Sequence, residues 1–219
     1  MKQILENWKY FINESSLSRV YKYISSTEVA IITAFRNDPS SLEKCAATAI
    51  SGDEGLKKDL SLNRQGITLK INKTRNRDLK ATLLALKYGV TRVKGSYIED
   101  FDTPDAVEVG EESFVVVNLE EDPNFLSNIK MLGRKFCQDS VLIIPKGGQG
   151  AYLFGTNNGE FPGLGQVVKV GDLKMGDEAE FMTRVNKRPF TFSESLETYR
   201  DLSRNERMAV KSIAKTILK

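Results

Sequence analysis

Apolar positions along the chain fall into two rhythms, one helical and one of strand length. Ile4, Leu5, Trp8, Phe11 and Ile12 share one helix face, and the stretch stops at Glu14 before Ser15 and Ser16. Leu17, Val20, Tyr21 and Ile24 then mark a second amphipathic helix that a serine caps. "EVAIITAF" at 28–35 is a continuous apolar run, the pattern of a strand covered on both faces. Residues 37–68 are weakly periodic and rich in Asp, Ser, Gly and Lys, which reads as loop and short helix.

The clearest helix is "NRDLKATLLALKYG" at 76–89, with Asn76 as its cap, Leu79, Leu83 and Leu86 on one stripe, and Gly89 placed to end it in the left-handed conformation. "VTRVKG" alternates as a strand, "SFVVVNL" is a buried strand, "PNFLSNIKMLGRKF" a helix, and "SVLIIPKGGQGAYLFG" two strands around a glycine-rich turn. The tail differs, because "SESLETYR" and "SRNERMAVKSIAKTIL" both read as capped helices. Alternating strands and helices predict an α/β or α+β fold: a central mixed sheet covered by helices, with a helical C-terminal tail. Three parts are expected, namely an amphipathic helix at 1–14, an α/β body at 15–160 and an extension of strand plus helices at 161–219.

Composition narrows the chemistry more than the architecture. With 40% hydrophobic and 28% charged residues among 219, the chain has the make-up of an ordinary globular protein. No run approaches the roughly 18 apolar residues of a membrane span, so no membrane partner is expected. Cys45 and Cys137 lie far apart with no CxxC partner, so neither a disulfide framework nor a thiolate metal cage is expected, and both are read as small buried residues. Histidine is missing altogether, which removes every Ser-His-Asp or Cys-His nucleophile, any histidine base and every His-ligated metal site. Catalysis would have to run on carboxylates, Lys, Tyr, Arg or a bound Mg²⁺, which is a candidate cofactor, and the sequence names no other.

Charge is segregated. Lys70, Lys73, Arg75, Arg77, Lys80, Lys87, Arg92 and Lys94 stand against Asp78 alone, and the ten acids from Gly95 to Ile129 meet no Lys or Arg. One reading is attraction between neighbouring segments across the surface, each exposed pair contributing about 0.5 kcal/mol. The other is an anion site in which Lys73, Arg75, Asn76 and Arg77, beside a helix N-terminus, bind a phosphate. "VKGSYIEDF" adds Lys94 and Tyr97 as ligand-binding candidates just past a strand, and Glu99 to position water or Mg²⁺. Glu111 and Glu112 complete the catalytic candidates. As strand neighbours they face opposite sides, so only one can serve a given pocket.

The opening helix resembles the capsid-targeting sequences of internal head proteins in large tailed bacteriophages, through Met1, Lys2, Trp8, Phe11 and the aliphatic-x-Glu site Ile12-Asn13-Glu14. That resemblance implies cleavage between Glu14 and Ser15 by a prohead protease, contact with the head scaffold through 1–14, and a path from virion interior to host cytoplasm. The body, through "AIITAF", "NKTRNRDL", "KYGVTRVKGSY", "EESFVVV" and "FCQDSVLI", resembles small α/β proteins of bacteria and phages that have no assigned reaction. The expected function is host takeover or anti-defence by binding a phosphate-bearing partner such as a nucleotide, nucleic acid or defence factor. The alternatives are a Mg²⁺-dependent enzyme processing a nucleotide or nucleic acid and a purely structural head protein.

Overall fold

The computed structural model describes residues 22–36, 69–99, 107–158, 161–171, 190–192 and 196–219. Seven strands form one sheet: β1 (Val29–Ile32), β2 (Gly89–Glu99), β3 (Val107–Val117), β4 (Ser140–Ile144), β5 (Ala151–Gly155), β6 (Val167–Gly171) and β7 (Phe190–Phe192). Among the described residues the helices α1 (Leu69–Ala85), α2 (Phe125–Lys135) and α3 (Arg204–Ile217) accompany it, with a further helical turn at 22–26.

The strand order is β6-β5-β4-β1-β3-β2-β7, and every neighbouring pair is antiparallel. The expected mixed sheet is therefore corrected to an antiparallel one in an α+β fold. Strands joined through helices do run parallel, as the alternation suggested, yet they never touch. β1 and β2 flank β3, while β3 and β4 flank β1, so each βαβ unit is split by a strand from the other. This is the double split βαβ of a ferredoxin-like unit, extended at its edges by β5, β6 and β7.

One face of the sheet carries the larger core. Ala30, Ile32, Val90, Phe114, Val116, Val141 and Ile143 pack there against Leu79 and Leu83 of α1, Phe125, Ile129 and Leu132 of α2, and Val210 and Ile217 of α3. The other face gathers Val29, Val93, Val115, Val117, Leu142 and Ile144 under Ile24, from the helical turn at 22–26. With apolar residues on both faces, β1 has to read as an unbroken apolar run.

Several local expectations shift. α1 begins at Leu69, so Asn76 sits inside the helix and does not cap it. Its C-terminus closes through Lys87 at φ 67°, with Lys87 N–H donating to Leu84 O and Tyr88 N–H to Leu83 O, the paired bonds of a Schellman ending. Gly89 instead opens β2, where a Cβ would stand 2.9 Å from Leu119 Cδ1 and 3.0 Å from Leu196 Cδ1. Glycine at position 87 would remove the left-handed strain. We expect Lys87→Gly to raise stability by about 0.5 kcal/mol, read from the urea unfolding midpoint. "SESLETYR" is not a helix over its described part: Glu197 pairs with Val90 as an isolated bridge, and Asp201 accepts from Thr198 in a turn. α3 forms as expected, with a capping box between Ser203 and Glu206.

The C-terminal segment continues the sheet of the body, since β6 pairs with β5, β7 with β2, and α3 packs on α1. Cys137 is buried, as expected, but is disulfide-bonded, and the chain's other cysteine, Cys45, lies outside the described residues. No described helix is long and apolar enough to cross a membrane.

Candidate functional site

Where β1 ends, Thr33–Arg36 leaves the sheet and loses its ladder partners. Side chains take over the backbone bonding. Asn76 Oδ1 accepts from Ala34 N–H at 2.8 Å, and Arg75 Nε donates to Ala34 O at 2.8 Å. Asn72 closes a reciprocal pair with Arg36, accepting from its N–H at 3.0 Å and donating to its carbonyl at 2.9 Å. Gln138 Nε2 donates to Phe35 O at 3.2 Å. An irregular buried segment needs such partners, because each orphaned backbone group costs about 1–3 kcal/mol.

Two guanidinium groups meet in this cradle. Arg36 grips Asp139 with both terminal nitrogens, Nη2 to Oδ1 at 3.0 Å. Arg75 is wholly buried, bonded to Ala34 O and, through Nη2 at 2.5 Å, to Phe136 O, and it lies 5.9 Å from the centre of the Phe136 ring. Among the described residues its Nη1 has no hydrogen-bond partner. Burial first, and then the nearby Arg36 charge, lower the Arg75 pKa to about 10.

Beside the cradle, β2 and β3 run on together. β1 stops opposite Phe114, whereas β2 and β3 stay paired out to Glu99 opposite Val107, a ribbon roughly 20 Å long beyond the end of β1. Its register sets Gly95, Tyr97 and Glu99 at positions of one face. Glu111 is directly across from Gly95 and diagonal to Tyr97 on that same face. Lys94 and Glu112 are paired on the opposite face, the side of the helices.

The structure thus separates residues that the sequence grouped. Arg75 and Asn76 point into the fold, while Lys73 and Arg77 stay exposed, one turn apart on α1. Among the described residues no helix N-terminus stands beside this group to reinforce a phosphate, since Lys73 to Arg77 lie inside α1. Lys94 falls on the face opposite Tyr97 and Glu99. Glu111 and Glu112 part as expected, and Glu112 forms an ion pair with Arg92 at 3.3 Å. Arg92–Glu112 and Lys87–Glu120 join the basic and acidic segments across the surface, as one of the two charge readings anticipated. Glu14 and Ser15 lie outside the described residues. Among the described residues no group of three or more potential acidic or thiol metal ligands is gathered. Sequence reasoning missed Thr33, Arg36, Asn72 and Asp139, polar residues bordering apolar runs whose role appears only once β1 ends between α1 and α2.

A model described as the S-adenosylmethionine lyase family matches residues 60–199. The chain belongs to that family. The matched segment contains α1, the whole β2–β3 ribbon and the Gln138–Asp139 side of the cradle. No curated protein and no solved structure matches the chain.

Proposed function

We propose that this protein is a lyase that cleaves S-adenosylmethionine, with the Tyr97, Glu99 and Glu111 face of the ribbon as its substrate face. The observation that carries the reading is the family match across the segment that forms that face. The chemistry suits a chain without histidine. When a C–S bond of a sulfonium breaks, sulfur keeps the bonding pair and departs as a neutral thioether, so the leaving group needs no proton. The remaining work is binding and orientation. A tyrosine ring suits the adenine or the sulfonium cation, and carboxylates suit the sulfonium and the substrate's ammonium group. Glu99 or Glu111 would also serve as the base if cleavage is an elimination.

The nucleotide-like partner expected from the sequence then becomes an adenosine-bearing sulfonium with no phosphate. Loss of S-adenosylmethionine deprives host methyltransferases of their donor, which makes the reading one of anti-defence. Packaging in the virion followed by release into the host cytoplasm belongs to the same proposal. Cleavage after Glu14 would leave the family-matched residues 60–199 intact.

The test is direct. Purified protein incubated with S-adenosylmethionine should convert it to a thioether nucleoside, resolved by liquid chromatography and mass spectrometry, without methyl transfer and without added metal. Substrate that persists at the rate of its spontaneous decay would sink the reading. A mature N-terminus at Ser15 in protein recovered from virions would support packaging, and an intact Met1 there would refute processing.

A further inference from the structure

We infer that Thr33 and Asn76 are positioning residues that aim the β2–β3 ribbon. The inference rests on the lyase reading for its consequence and on separate geometry for its cause.

The backbone carbonyl of Glu112 faces the side of β3 on which β1 has ended. In place of a strand N–H it receives two side-chain donors, Thr33 Oγ1 at 2.8 Å and Asn76 Nδ2 at 2.7 Å. Asn76 is 1% exposed, and its own oxygen is held by Ala34 N–H at 2.8 Å, so its amide cannot turn without breaking both bonds. On the far side of the ribbon, β7 pairs with Val93, Lys94 and Gly95 of β2. Lys94 and Glu112 are directly paired. The ribbon is therefore braced on both edges at one level. Beyond Glu112, among the described residues, β3 pairs with β2 alone.

Glu111, Tyr97 and Glu99 all lie outward of that level. Glu99 pairs with Val107, five residues from Glu112, or about 17 Å along the strand. A swing of about 5° at the brace moves that position by roughly 1.5 Å, and misplacements of about 1 Å cost catalysis on the order of a hundredfold. Two neutral hydrogen bonds contribute little to overall stability, but they sit at the pivot of a long arm.

The experiment uses the full chain. Thr33→Val keeps the shape and deletes the hydroxyl. It should lower kcat for S-adenosylmethionine cleavage about tenfold with KM changed less than about threefold, while Thr33→Ser, which keeps the donor, stays within about twofold of the parent. Asn76→Asp retains the acceptor for Ala34 and loses the donor, and it should lose more; should it fail to fold, Thr33→Val still decides. Hydrogen exchange read by mass spectrometry should quicken at 107–111 in Thr33→Val and stay unchanged in β1 and β4. Unaltered kcat and unaltered exchange in Thr33→Val would overturn the inference. If the parent protein cleaves no S-adenosylmethionine, the lyase reading falls by itself, and the exchange measurement still tests the brace.

Discussion

Glu99→Gln is expected to lower kcat for S-adenosylmethionine cleavage by about a hundredfold or more, with the protein still folded. The substitution keeps the size and the hydrogen-bonding capacity of the side chain and removes its charge. A carboxylate acting on a sulfonium or an ammonium works through that charge, and single electrostatic groups of this kind typically contribute about 10²–10³ in kcat. As a base it would lose its proton acceptor altogether. Glu112→Gln provides the contrast. Its position lies on the helix face, paired with Arg92, and its removal should change kcat by less than about threefold. Steady-state rates at saturating substrate decide the matter. Unchanged kcat in both Glu99→Gln and Glu111→Gln would remove the catalytic assignment of this face.

Arg75→Ala is expected to act on stability, costing about 3 kcal/mol in urea unfolding. The alanine leaves Ala34 O without its donor and empties the volume of one of the largest fully buried side chains. Relief from burying a charge that has no acidic partner among the described residues offsets part of that loss, which keeps the estimate below a simple sum. Phe136 O is spared, since Gln138 Nε2 also donates to it at 3.0 Å. Lysine should not rescue, because one ammonium cannot span two carbonyls in the way that Nε and Nη2 of a planar fork do. A surface arginine that grips a phosphate would give the reverse result, with stability intact and ligand affinity lost. Both readings are thus separated by one pair of measurements.

The two outcomes at Arg75 show where the sequence speaks and where it is silent. Strands β1, β3 and β4 announce themselves through apolar runs, since a strand covered on both faces has no polar alternation to confuse it. The opposition of Glu111 and Glu112 follows from the two-residue period and needs no tertiary knowledge. The sequence groups Arg75 with the phosphate-binding cations, a reading that needs it at the surface, where guanidinium groups usually lie. Its signal was nevertheless present. The stripe Leu83 and Leu79, carried back in steps of four, lands on Arg75 and then Ile71, all four buried on one helix face. Lys87 was overlooked as the helix terminus because glycine is the usual left-handed residue, and Gly89 stood two positions away for a different reason, the closeness of Leu119 and Leu196. The ribbon could not be foreseen at all. Its projection depends on where β1 stops relative to β3, a pairing between residues more than eighty positions apart.

That same pairing sets an order of assembly. The hairpins β2–β3 and β4–β5 join near neighbours in the chain and can close within microseconds. Among the described residues β1 has no local partner and pairs with strands that follow it at great distance, β3 on one side and β4 on the other. Long-range closure of this kind is slow, so β1, although made before its partners β3 and β4, is the last to find its slot, and refolding should be limited by the wait for a gap between two hairpins already made.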